Sequence, residues 1–349
     1  MASSGAAPVA VALRRLAHGG SLTSLEAAAA FDAVMAGAAT PAQIAALLMG
    51  LRVKGETPEE VAGAAGALRA AMVPLAADAP DALVDTCGTG GGTIPTFNIS
   101  TAAALLANGA GVRIAKHGNR SFTSQCGSAD VLEALGVGIE VTPAVMERAL
   151  RATGIVFMFA PLMHPAMRHV GPVRRELATP TVMNIIGPLA NPARAGRQVI
   201  GVADEARLPQ LAGALLELGT THSLVIHGQG MDEISPLDPT SGFEIRDGEM
   251  RDWSFDPADY GFAGMSASEL AGGGPAANAA IITAVLEGKG NAASAAAVVV
   301  NAAAAIFVAG IEPTMRHAID RAQAALADGQ GMAALERLRA AMPCQTTTS

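Results

Sequence analysis

The sequence predicts an α/β protein: a small N-terminal helical domain followed by a larger α/β domain with a mostly parallel central sheet. Three observations carry this. Segments from Ser24 to Ala77 all show apolar residues three and four apart. After Pro80 short β signals alternate with helical ones. Several of those β signals run directly into glycine-rich or charged loops, as strands of a parallel sheet do at their carboxyl ends.

The helical part reads as "SLEAAAAFDAVMAG", "TPAQIAALLMGLRVKG" and "TPEEVAGAAGALRAAM". Two of these open with Thr-Pro, where threonine caps the orphan amides and proline occupies the first helical position. Next come "ALVDTCG" as a strand, "STAAALLANGAG" as a helix, "VRIAKHG" as a strand, "SADVLEALGV" as a helix and "IEVTP" as a strand. "RQVIGVAD" and "SLVIHGQG" continue the sheet, and "FEIRDGEM" with "RDWSF" suggests an antiparallel addition. The final helices are expected from about Asn278 to Ala341, and the tail "CQTTTS" as disordered.

Half of the 349 residues are hydrophobic and only 3% are aromatic, so alanine and small aliphatics must fill the interior. The run from Ala292 to Gly310 is mostly Ala, with Ser294 and Asn301 inside it, and reads as a buried helix rather than a membrane span. At the N-terminus the arginines follow the apolar stretch, the reverse of a secretory signal. Three irregularly spaced cysteines fit a reducing compartment, and a cytoplasmic location is expected. The net charge of −8 argues against a surface tuned to nucleic acid. A phosphate ligand, if there is one, should be small and enclosed.

Such a ligand is suggested by "DTCGTGGGTIPTFNIST", residues 85–101. Its glycines let backbone approach a ligand closely, and the helix that follows presents unpaired amides and the positive end of its dipole. It is neither a P-loop nor a dinucleotide fingerprint. "KHGNRSFTSQCGSADVLEALG" puts Lys116, His117, Asn119 and Arg120 at the next strand end, with Ser128 placed to cap the following helix and Asp130 beside its dipole. "HGQGMDEIS" puts Asp232 and Glu233 side by side after a further strand, hard oxygen donors of the kind that hold Mg²⁺. "HPAMRHVGPVRRELATPTVMNIIGPLANPA" sets Arg168, Arg174 and Arg175 in apolar text, suited to a small carboxylate. Its histidines read as structural, and its second half as a hinge without charge for chemistry. No nucleophilic triad, zinc spacing or acid/base pair is seen, as fits a transfer driven by anion binding.

With these stretches in order, the chain resembles the anthranilate phosphoribosyltransferase family, within the nucleoside phosphorylase-like phosphoribosyltransferases. The resemblance spans nearly the whole sequence. It implies a helical domain over 1–78, with a contribution from about 172–192, and a phosphoribosyl pyrophosphate-binding α/β domain over 79–345. It further implies transfer of phosphoribose from 5-phosphoribosyl 1-pyrophosphate to the amine of anthranilate in tryptophan biosynthesis, with Mg²⁺ and a homodimer. Around the pyrophosphate and ribose it puts Gly88, Thr89, Gly90, Gly91, Gly92, Thr96, Asn98, Ser100, Thr101, Lys116, Asn119, Ser121, Thr123, Ser124 and Ser128. Ser100, Asp232 and Glu233 would hold the metal, and Gly88, His117, Asn119 and Arg174 would face anthranilate. No general base is implied.

One departure stands out. The family loop reads Gly-Thr-Gly-Gly-Asp, whereas here the fifth position is Gly92. Two alternatives stay open on sequence: a pyrimidine nucleoside phosphorylase, and a non-catalytic nucleic-acid-binding relative of the same fold.

Overall fold

The computed structural model describes residues 6–121 and 125–344. The expected disorder of the tail after Cys344, and the roles given to Thr123 and Ser124, concern residues outside these.

The N-terminal region holds α1 (Ala7–Ala17), α2 (Ser24–Met35), α3 (Pro41–Lys54) and α4 (Pro58–Ala70). Thr23, Thr40 and Thr57 each form a capping box with Glu26, Gln43 and Glu60; the Thr-Pro starts at Thr40 and Thr57 are as expected, and the Thr23 cap is an addition. Helix α1 was not expected. It forms in the segment weighed only as a leader and buries Val9, Ala12 and Leu16.

The sheet follows as β1 (Val84–Gly88), then α5 (Ile99–Gly109), β2 (Ile114–Gly118), α6 (Ser128–Ala134), α7 (Pro143–Thr153) and β3 (Ile155–Phe159). Next come α8 (Ala160–Met163), α9 (Gly171–Leu177), β4 (Arg197–Gly201), α10 (Leu208–Glu217), β5 (His222–His227), β6 (Thr240–Arg246) and β7 (Glu249–Phe255). Four helices close the chain: α11 (Pro275–Leu286), α12 (Ala292–Val308), α13 (Met315–Ala327) and α14 (Gln330–Ala341). Strand order is β3-β2-β1-β4-β5-β6-β7, with the first five parallel and the last two antiparallel.

The third strand is a correction. "IEVTP" forms no strand: Val137 makes one isolated bridge to Pro343, and Pro143 begins α7. The strand is instead "IVFMF", buried along its whole length and therefore without the alternation that marks a half-exposed strand.

One core joins the sheet to α5, α6, α7 and the last four helices. Helix α12 is buried almost all round; its alanines let it lie closely against α5 and α13. Among the described residues no helix is long and apolar enough to cross a membrane. A second core unites the N-terminal helices with Val173, Val182, Ile186 and Leu189 and with α10 and one face of β4 and β5. An ion pair of 2.5 Å between Arg207 and buried Glu56 lies inside this contact.

Candidate active site

The order β3-β2-β1-β4-β5 makes the chain diverge between β1 and β4, and at such a point the carboxyl ends of the strands leave a crevice. Gly88 and Gly201 face each other there at the ends of β1 and β4. A Cβ on Gly88 would strike the Asp232 carboxylate, and one on Gly201 the Asp232 backbone. Two glycines are therefore needed for the acidic loop to lie across the strand ends.

The glycine loop and the acidic loop are bonded to each other. Gly90, in a left-handed conformation with φ of 71°, donates its N–H to Asp232 Oδ2 at 2.7 Å. Ser100, in the first turn of α5, donates its N–H to Glu233 Oε1 at 3.0 Å. Thr93 and Ile94 donate to the Gly230 carbonyl at 2.8 and 3.2 Å, and a Cβ at Gly92 would come 2.8 Å from that same oxygen. Thr89 N–H meets the Gly201 carbonyl at 2.9 Å. Burial raises the pKa of Asp232; burial and then the Asp232 charge raise Glu233 to about 8. Two buried carboxyls that resist ionising together this way would both ionise readily only beside a cation.

Lys116, buried at 4% exposure, brings its ammonium to the Thr86 carbonyl and to 3.2 Å from Ser100 Oγ. Beside it the rings of His117 and His164 meet Nε2 to Nε2 at 3.2 Å. Burial, reinforced by His164, lowers His117 to about 3, and burial lowers His164 to about 4. Both are neutral at pH 7.

Beneath these residues lies a network that sequence reading missed. Asp85, fully buried, accepts from His117 N–H at 3.1 Å and from Asn191 Nδ2 at 2.7 Å. The same Asn191 nitrogen donates to the Ala115 carbonyl at 2.8 Å. The one available sign was an acidic residue inside an otherwise apolar strand. Asn191 belongs to the segment read as a chemically inert hinge, and that reading is corrected for this residue.

The remaining expected residues are distributed unevenly. Thr96 lies half-buried along the glycine loop, and Gly91 is left-handed with φ of 87°. Asn98 occupies the cap position of α5 but turns its amide to the Cys126 carbonyl and accepts from Asn278. Thr101 is only 1% exposed and its hydroxyl has no hydrogen-bond partner among the described residues, so as folded it is closed to a ligand. The Asn119 carbonyl accepts from Ser128 Oγ at 3.3 Å, while Asp130 holds the N–H groups of Ser121 and Gly127. Asp130 is thus a cap whose partner Arg120 also pairs with Glu133. Arg174 is half-buried on α9, its pKa lowered by burial, and its guanidinium forms no hydrogen bond or ion pair among the described residues.

Two adjacent carboxylates and a nearby hydroxyl supply hard oxygen donors, which fits Mg²⁺. Among the described residues no three ligating His, Cys, Asp or Glu side chains cluster. That donor set suits an ion that completes its shell with water and phosphate.

Comparison with known proteins shows what the chain is similar to. The chain matches the family described as "Glycosyl transferase family, a/b domain" over residues 80–332 and "Glycosyl transferase family, helical bundle domain" over residues 10–72. The anthranilate phosphoribosyltransferase of Roseiflexus sp. (strain RS-1) is 47% identical over 95% of this chain and 97% of its own. That of Rubrobacter xylanophilus is 47% identical, over 93% and 95%. The crystal structure of anthranilate phosphoribosyltransferase from Thermus thermophilus superposes with a TM-score of 0.89, at 40% identity, over 95% of this chain and 99% of that one. The Saccharomyces cerevisiae enzyme, in complex with PRPP and Mg, gives 0.85 at 26% identity, over 96% and 98%.

Proposed function

This chain belongs to the anthranilate phosphoribosyltransferase family, and on that premise we propose how its crevice works. The protein transfers the phosphoribosyl group of 5-phosphoribosyl 1-pyrophosphate to the amine of anthranilate, giving N-(5-phosphoribosyl)anthranilate and pyrophosphate for tryptophan biosynthesis. The single observation that carries the reading is the pairing of Gly90 and Ser100 amides with Asp232 and Glu233 beside Lys116. Donors fit for an anion and acceptors fit for a cation share one crevice.

Loop amides from Gly88 to Gly92, the start of α5 and Lys116 bind the pyrophosphate, with Asn119, Ser121 and Ser128 at its far edge. Asp232, Glu233 and Ser100 hold Mg²⁺, which when bound supplies positive charge to the polyphosphate. As the bond from C1 to pyrophosphate lengthens, the leaving group gains negative charge, and Lys116 with the helix-start amides stabilises it. Anthranilate lies on the opposite side, near His117, Asn119 and Gly88. His117 is neutral at pH 7 and offers a hydrogen bond but no charge. The anthranilate carboxylate is therefore left to Arg174. An aryl amine is nucleophilic without losing a proton first, so orientation carries the acceptor side and no base is needed.

The same reading takes residues 1–78 as a helical domain, joined by 172–192, and 79–345 as the catalytic domain. The protein is a cytoplasmic homodimer. A direct test follows anthranilate fluorescence in the presence of phosphoribosyl pyrophosphate and Mg²⁺. Loss of signal that needs both substrates and is crippled by Arg174→Ala and by Asp232→Ala with Glu233→Ala supports it. No loss at any magnesium concentration rejects it.

A further inference from the structure

Strand β1 pairs with β4 through five registered positions, and β2 with β3 through five, but β1 and β2 are registered only at Val84 and Ile114. The first rung is regular, with Val84 N–H donating to the Arg113 carbonyl at 2.9 Å. In a parallel ladder the next residue to bond, Thr86, would give its N–H to the Ala115 carbonyl and take the His117 N–H on its own carbonyl. Thr86 and Lys116 are not registered as a pair. Asn191 Nδ2 occupies the Ala115 carbonyl, and Asp85 Oδ1 takes the His117 N–H. The two intruding side chains are bonded to each other at 2.7 Å. Thr86, released from β2, accepts the Lys116 ammonium on its carbonyl instead.

We infer that Asp85 and Asn191 are positioning residues that take over one rung of the sheet so that the Lys116 ammonium can be stationed between β1 and the start of α5. The inference rests on the reading above, in which Lys116 meets the pyrophosphate. Its physical logic is that a lysine inside a strand normally points across the sheet face. Here a backbone carbonyl within the sheet plane has been freed to receive it, and Ser100 Oγ at 3.2 Å supplies the second contact. Asn191 adds a link to the rest of the fold. Its Oδ1 accepts from Ala193 N–H at 2.9 Å, and its neighbours Leu189 and Ala190 lie in the core shared with the N-terminal helices.

The test compares Asp85→Asn, Asn191→Ala and the double change Asp85→Asn with Asn191→Asp, with Lys116→Ala as reference. Both single variants should raise KM for phosphoribosyl pyrophosphate roughly tenfold while KM for anthranilate moves less than about threefold. The double change restores a donor–acceptor pair between the two positions and should recover part of the loss. In the ligand-free protein, hydrogen exchange of the segment 114–118 should rise in both singles, because the acceptor of the His117 amide loses its charge in one and its Asn191 anchor in the other. Lower melting temperature with KM for phosphoribosyl pyrophosphate within twofold of wild type would overturn the inference and leave the pair a purely structural wedge. If Lys116→Ala itself leaves that KM unchanged, the placement of Lys116 at the pyrophosphate is what has failed, and the inference falls with it.

Discussion

The backbone nitrogen of Gly90 stands 2.7 Å from Oδ2 of Asp232. The loop shaped for an anion is closed on the residue shaped for a cation, so each ligand must displace part of the other's partner. Asp232→Asn keeps an acceptor for Gly90 but removes the charge. Its melting temperature should stay within a few degrees of wild type. Half-saturating magnesium should rise at least tenfold, and kcat/KM for phosphoribosyl pyrophosphate should fall roughly a hundredfold, the equivalent of about 2.7 kcal/mol. Steady-state kinetics across a magnesium titration checks this. Unchanged magnesium dependence would remove Asp232 from the metal site.

Gly92 stands where the resemblance to the family implies an aspartate, and in this chain the space for a Cβ is filled to 2.8 Å by the Gly230 carbonyl. That oxygen also takes the Thr93 and Ile94 amides. Gly92→Asp should therefore fold but shift the loop, altering magnesium dependence or phosphoribosyl pyrophosphate affinity. A titration in which neither differs from wild type would refute it.

The paired imidazoles of His117 and His164 make stability depend on pH. Unfolded, each ring binds a proton near pH 6.5; folded, His117 binds one only near 3 and His164 only near 4. Their contribution is fully present above pH 6.5 and is lost as pH falls. Each ring contributes a slope of up to about 1.4 kcal/mol per pH unit below that point. Asp85, raised by burial to about 6, works in the opposite direction between pH 6 and 3.8 and offsets part of the loss. Urea unfolding of wild type and His164→Asn at several pH values should show the gap between them narrowing by about 1.4 kcal/mol per unit from pH 6 to 4.5. A gap independent of pH would mean that His164 is solvated or protonated in the folded chain.

Arg207 and Glu56 form a buried ion pair across the contact between the N-terminal helices and the α/β core. Glu56 Oε2 takes the Arg207 guanidinium and Oε1 has no hydrogen-bond partner among the described residues, so removing Arg207 strands a carboxylate in a low-dielectric site. Arg207→Met should cost about 3–5 kcal/mol, and adding Glu56→Gln should recover most of it. Thermal unfolding of the two variants decides the matter; equal losses would show that the packing of Arg207, rather than its charge, is what counts.

Much of this was legible because it is local. Thr40 and Thr57 cap helices through residues three positions away, and a glycine-rich stretch before a helix start advertises its own conformations. Strand β3 was missed for a matching reason. "IEVTP" has the local look of a strand, but a strand is made by a partner, and "IVFMF" lies against β2 with all five positions paired.

By itself the sequence determined the α/β class, the helix caps, the glycine loop, the acidic pair and the family, since these reside in short runs of residues whose conformational and chemical preferences need no distant partner. The tertiary structure alone decided that Thr101 is closed off, that the anion donors pair with the cation acceptors, and that Asp85 meets Asn191 across 106 positions of chain to open the sheet under Lys116. The reason is competition: each of these groups had several possible hydrogen-bond partners, and burial together with strand register chose among them.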